Sequence, residues 1–316
     1  MKVNQRLDLE LEKVREELVR QTGPETFAGM IDADIPVTGK LIRPRLLLMT
    51  ADKFGVIGHD ARTLATAVEM IHLASLVHDD VIDEATLRRG RPPLYVQTDA
   101  KVAVMSGDIL FSKAMNLICT LDVLEVYRRV TDAVVRLASG QLRDWLFTGE
   151  VRGSIDEYLR IVDGKTGSLL ALCLELPAIL ADYGAEDLDR LRHCGLLMGR
   201  AFQIADDMLD LPAPENHTGK TAFLDLEQGK FAFPYLLLAQ EGGPAMTELL
   251  RNASKGQDRE RQELLEAINQ FEIRQRARTM IVRFVDEAVD DLQTMFGGVL
   301  PPEVQEMIQA MVFRKG

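Results

Sequence analysis

Residues 76–92 read LVHDDVIDEATLRRGRP. The stretch ends an apolar run in which Leu64, Val68, Ile71 and Leu76 recur at helical spacing and lead straight into Asp79. On a helix Asp79 and Asp83 share one face at i and i+4, while Asp80 is turned aside. Such a like-charge pair costs roughly 0.2–0.5 kcal/mol, and a single copy reads as a solvated helix end. The pattern returns at 202–210, FQIADDMLD, where Asp206, Asp207 and Asp210 repeat the D-D-x-x-D spacing below a second apolar helix. Two copies point to a purpose.

Outward from these two stretches the same periodicity fills most of the chain, with no alternating strand, so the expected fold class is all-α. Breaks are expected at 23–29, 34–39, 55–60, 88–93, 148–154, 211–220, 241–244 and 296–302, which leaves roughly ten helices. None is long or biased enough for an interdomain linker. Residues 1–316 are therefore expected to form a single domain. Of the 316 residues 47% are hydrophobic, ample for a large core, and the net charge of −12 argues against nucleic acid or an anionic membrane surface as the main partner. Three cysteines without a CxxC pair suggest neither a disulfide framework nor zinc, and fit a cytoplasmic location. The N-terminal MKVNQRLDLELEKV is too charged for a signal peptide. The longest apolar stretch, LLALCLELPAILA, is short and broken by Glu175, so no transmembrane segment is expected.

Six carboxylates where apolar helices emerge from a core cannot all stay ionised without cations. Hard oxygen donors at this spacing suit Mg²⁺, which takes few protein carboxylates and completes its shell with water and substrate phosphates. Basic residues beside glycines supply the counterpart: Lys40 and Arg43 in GKLIRP, Arg88 and Arg89, Lys165, Lys220 and Lys230. Taken singly each reads as a solvated charge; their shared setting suggests a diphosphate with an apolar tail. Two rivals fail. A Walker loop would need glycine where Leu159 and Pro214 stand. A di-iron bundle would need a second copy of the Glu69-x-x-His72 pair, and none exists.

These segments, in order, resemble the trans-isoprenyl diphosphate (polyprenyl) synthases. GKLIRP is similar to the family's GGKxxRP segment, HDDVID…RRGRP to its first aspartate-rich motif, and GKTGSLLALCLELPAILA to its Lys-Thr helix; FQIADDMLD resembles its second aspartate-rich motif, and GKTAFLDLEQGKFAFP its closing GKxxxxDLxxGKxxxP signature. The resemblance implies a large antiparallel helical bundle around a deep central cavity, usually a homodimer. It implies that Asp79, Asp83 and Asp206, with Asp80, Asp207 and Asp210 nearby, hold three Mg²⁺ against an allylic diphosphate, assisted by Arg88, Lys165 and Lys220. Isopentenyl diphosphate would be held by Lys40, Arg43, His72 and Arg89, while Lys165, Thr166 and Gln203 line the reacting carbons and Lys230 the mouth. The implied reaction is ionisation of the allylic diphosphate and head-to-tail trapping of the cation by isopentenyl diphosphate, with the released diphosphate as base.

Some positions depart from the pattern. Thr38 and Leu41 replace a glycine and a basic residue, Ala232 and Phe233 replace Thr-Leu, and Gln141 and Asp144 stand where Glu and Gln are common. Counting four, five and eight residues back from Asp79 gives Ser75, Ala74 and Ile71 as the floor that sets chain length. Family members that stop at fifteen carbons usually place an aromatic ring there; none of these three is aromatic, so the resemblance implies a product of thirty carbons or more. The alternatives are a terpene cyclase or head-to-head synthase, and a non-catalytic partner subunit of a heteromeric synthase.

Overall fold

The computed structural model describes residues 3–23, 35, 39–88, 90–149, 151, 154–212, 223–256, 258–300, 304–306 and 308–309. Among them the regular structure is helical, apart from an isolated backbone bridge between Arg88 and Arg91. The chain divides into two compact units, 1–131 with 172–189 and 132–171 with 190–316.

The first unit contains α1 (Val3–Thr22), α2 (Ile42–Lys53), α3 (His59–Ile82), the single turn α4 (Leu94–Gln97) and α5 (Ala100–Cys119). It also holds the start of α6 (Leu124–Phe147) and parts of α8 (Ser168–Leu180) and α9 (Ala185–Asp207). Asp99 caps α5 through a 2.7 Å bond from the Lys101 N–H. Ala61, Ala65 and Ala67 thin the buried face of α3, and Gly107 lets the His78 ring lie against α5. His78 Nε2 then sits 3.0 Å from the Val104 carbonyl. A Cβ at Gly107 would meet that ring atom at 2.2 Å.

The Glu175 that interrupts the apolar stretch is buried, and Arg129 Nη1 reaches it at 3.0 Å. A buried carboxylate with a guanidinium partner is tolerable where a lone one is not. By length and composition α5 is apolar enough to cross a membrane, a property the sequence reading missed. It packs along α3 in this unit and carries Lys101, Asp108 and Lys113.

The second unit holds the rest of α6, then α7 (Ile155–Val162), a five-residue π turn (Asp163–Gly167) and the end of α9 with a 3₁₀ turn (Met208–Asp210). α10 (Leu224–Glu227), α11 (Phe233–Ala253), α12 (Asp258–Gln270) and α13 (Ile273–Met295) complete it. Ser154 caps α7 by accepting from the Glu157 N–H at 3.2 Å. The break expected at 241–244 is a kink inside α11, where Gly243 takes φ 64 ahead of Pro244.

Turns at Asp122 (φ 53) and Asp182 (φ 58) were not foreseen. Aspartate tolerates the left-handed region, so the chain reverses there without glycine.

Candidate functional site

In the first unit, α3 delivers the first acidic motif. Asp80 points inward, only 5% exposed, and accepts from Arg88 Nε at 2.5 Å. Burial raises its pKa and the Arg88 charge partly opposes this. Gly90, at φ 78, closes the turn from which Arg88 reaches back, with Arg88 N–H donating to the Arg91 carbonyl at 2.8 Å. Arg88 thus serves the motif itself. Asp79 and Asp83 remain half-buried one turn apart, as helical spacing requires.

Eight to four residues earlier on α3, Ile71 and Ala74 are buried, and the half-buried Ser75 donates to the His72 carbonyl at 2.8 Å. His72 is half-buried. Lys40 is exposed just before α2, and Arg43 is half-buried on its first turn. Between them Leu41 adopts a left-handed conformation, φ 45, with its side chain 4% exposed. That burial accounts for an apolar residue where a basic one was expected, and it offsets about 1–2 kcal/mol of backbone strain. Arg89, Lys220 and Thr38 lie outside the described residues.

The second unit encloses a cavity of about 250 Å³ walled by the end of α6, α7, the π turn, the end of α9 and residues 225–236. Lys165, Thr166, Gln203 and Lys230 all line it, together with Asp206 and Asp207. The two lysines therefore meet carboxylates at one opening. Lys165 Nζ donates to Asp144 Oδ2 at 2.7 Å. Thr166 Oγ1 donates to Gln203 Oε1 at 3.0 Å, and Gln203 Nε2 donates to Asp207 Oδ1 at 2.8 Å.

The three aspartates of the second motif have separate fates. Asp206 is exposed at the cavity wall. Asp207 is 6% exposed and also accepts from the Tyr158 hydroxyl at 2.7 Å and the Phe233 N–H at 3.0 Å, which satisfies an N-terminal donor of α11. Asp210 accepts from the Tyr235 hydroxyl at 2.6 Å and the Asp225 N–H at 3.1 Å. Burial pushes Asp207 up to about 7 against the three donors, and pushes Asp225 up to about 6 with help from the Asp210 charge. Both tyrosines are held above their usual range, first by burial and then by these carboxylates.

Tyr158 and Asp225 were absent from the residues singled out in the sequence, and Asp144 was noted there only as a departure from the family's pattern. Asp225 stood within the closing signature and could have been read there. Tyr158 carried no local signal at all.

Among the described residues no three His, Cys, Asp or Glu side chains stand close enough to hold a metal ion by themselves. The donor chemistry nonetheless fits Mg²⁺, which binds through one or two carboxylates and fills its shell from phosphate and water. Asp206, exposed on a cavity that also bears two lysines, has that character.

A family model described as Polyprenyl synthetase matches residues 24–271. The chain is 35% identical over 257 residues to the nonaprenyl diphosphate synthase of Mycobacterium tuberculosis, covering 80% of this chain and 76% of that protein. It is 34% identical over 223 residues to the short chain isoprenyl diphosphate synthase of Methanothermobacter thermautotrophicus, covering 69% and 68%. The crystal structure of a decaprenyl diphosphate synthase from Rhodobacter capsulatus matches with a TM-score of 0.82 at 27% identity, covering 98% of this chain and 95% of that one. The all-helical fold and the ordered motifs agree with these likenesses, and the chain belongs to the polyprenyl synthetase family.

Proposed function

We propose that this protein is a Mg²⁺-dependent trans-prenyltransferase, joining isopentenyl diphosphate head to tail to an allylic diphosphate and releasing diphosphate. The observation that carries the reading is the cavity of the second unit, where Lys165 and Lys230 stand beside Thr166, Gln203 and Asp206. The lysines offer fixed positive charge to a departing diphosphate, which is electrostatic assistance in place before the reaction starts. Apolar wall residues such as Phe231 and Leu236 keep water from an allylic cation. Thr166 and Gln203, hydrogen-bonded to each other, line the same space.

Asp79 and Asp83 would hold Mg²⁺ at one acidic helix end and Asp206 at the other, three ions per active site, with Asp80, Asp207 and Asp210 as supports. When bound, Mg²⁺ supplies charge that offsets the growing charge of the diphosphate. Lys40, Arg43, His72 and Arg89 are assigned to isopentenyl diphosphate, and Arg88 and Lys220 assist at the allylic end. The released diphosphate takes the proton.

The names of the relatives divide between short and long products. The side chains on α3 favour the longer: Ile71, Ala74 and Ser75 leave no aromatic ring below Asp79, and one helical turn of about 5.4 Å matches about one isoprene unit. A product of thirty carbons or more follows.

The exposed apolar stripe on α6, with Val135, Leu142, Trp145 and Leu146, suits a second copy in a homodimer. A single domain working in the cytoplasm completes the proposal. Light scattering checks the assembly; a monomer at micromolar concentration would reject it.

The test is chromatography of the products made by the purified chain from labelled isopentenyl diphosphate and geranyl, farnesyl or geranylgeranyl diphosphate, with Mg²⁺ and with a chelator. Elongated products that vanish with the chelator support the reading. Conversion of an allylic substrate alone would indicate a cyclase or head-to-head synthase, and no product from any primer a partner subunit.

A further inference from the structure

We propose that Arg200 and Asp163 are positioning residues for prenyl transfer: their ion pair fixes the π turn that presents Lys165 and Thr166. Nothing about either residue stood out in the sequence, and neither lines the cavity.

The π turn Asp163–Gly167 is wider than an α turn, so its side chains leave the helix in directions that α-helical spacing would not give. A segment of this kind needs outside restraint. On one side it lies backbone to backbone against α6, where a Cβ at Gly140 would come within 2.6 Å of the Lys165 nitrogen and one at Gly164 within 2.6 Å of the Arg136 carbonyl. On the other side it meets α9, where a Cβ at Gly199 would lie 2.5 Å from the Gly167 Cα. These glycines permit close approach but do not fix position along the seam.

Directional bonds do that. Arg200 Nε and Nη2 donate to the two oxygens of Asp163, each at 2.7 Å, in the forked geometry that admits one relative placement. Both side chains are about a quarter exposed, and the Phe284 ring lies 5.7 Å from the guanidinium carbon. Thr166 and Gln203, each three residues further on, form the second rung. The two rungs lie about one turn apart on α9, and Lys165 lies between them in sequence.

The inference rests on the reading of Lys165 as a substrate-facing cation, and the experiment separates the two. Steady-state kinetics are measured for wild type, Lys165→Gln, Arg200→Gln, Asp163→Asn, the double variant and Arg200→Lys, with thermal melting of each. Misplacement on the order of 1 Å lowers kcat by roughly ten- to a hundredfold. Arg200→Gln and Asp163→Asn are each expected to show such a loss, with the KM for isopentenyl diphosphate within about twofold of wild type. The double variant should be no worse than either single one, and Arg200→Lys should recover part of the loss. Full kcat in Arg200→Gln with a lowered melting temperature, or additive losses in the double variant, would overturn the positioning role. Full activity in Lys165→Gln would overturn the reading beneath it.

Discussion

Lys165 Nζ and Asp144 Oδ2 are 2.7 Å apart, so the cation assigned to the diphosphate already has an anionic partner on the cavity wall. This gives a physical account of the Asp144 departure, which the sequence left unexplained. A diphosphate reaching Lys165 competes with a carboxylate where a neutral glutamine would compete far less. Asp144→Gln is expected to lower the KM for the allylic diphosphate several-fold, with kcat changed less than about threefold. Initial-rate kinetics check it, and a raised KM would show that Asp144 aids binding instead.

The second acidic motif should divide by experiment as it divides in space. Asp206→Asn, at an exposed carboxylate, is expected to cut kcat by at least a hundredfold without moving the melting temperature. Tyr235→Phe removes a donor from buried Asp210 and is expected to cost about 1–3 kcal/mol of stability. Calorimetry beside the kinetic assay separates the two effects. Equal loss of stability in both variants would contradict the division.

Asp207 gives a pH signature. Its folded pKa of about 7 lies above the ordinary value of 3.8, so the folded protein keeps a proton that the unfolded chain has released. The stability this contributes is fully present below about pH 4 and is lost as pH rises through about 7. With a chelator present, the melting temperature of wild type minus that of Asp207→Asn should therefore fall between about pH 4 and 7 and level off above. Fluorimetry across that range decides it. A difference that stays constant or grows would show that burial does not hold the proton.

Chain length offers a direct readout on α3. Ala74 is 3% exposed one turn and a residue before Asp79, and Ala74→Phe places a ring there. The products from farnesyl diphosphate are expected to shorten by several isoprene units. Overpacking is expected to cost about 1–3 kcal/mol, so melting is measured alongside. An unchanged product length in a folded variant rejects the floor assignment.

Helix and motif were legible because their signals are local. The spacing of Leu64, Val68 and Ile71 sets the buried stripe of α3, which continues through Ala74 and Val77 while Leu76 is only half-buried, and the same geometry puts Asp79 and Asp83 on one face with Asp80 turned aside. The break at 241–244 was legible for the same reason: Gly243 leaves the helical region ahead of Pro244, so α11 is two helical segments joined across a kink.

What the sequence determined by itself is the helical class, the two aspartate motifs and the family. These depend on intervals of three and four residues and on short ordered segments. Only the tertiary structure decided which carboxylates stay available. Tyr158 lies 49 residues before Asp207 and Tyr235 lies 25 after Asp210, and burial with hydrogen-bond partners at such distances comes from packing. The same holds for the pairing of Lys165 with Asp144 and of Arg200 with Asp163. A charge can be counted along a chain, but its partner is fixed only once helices from distant segments have come together.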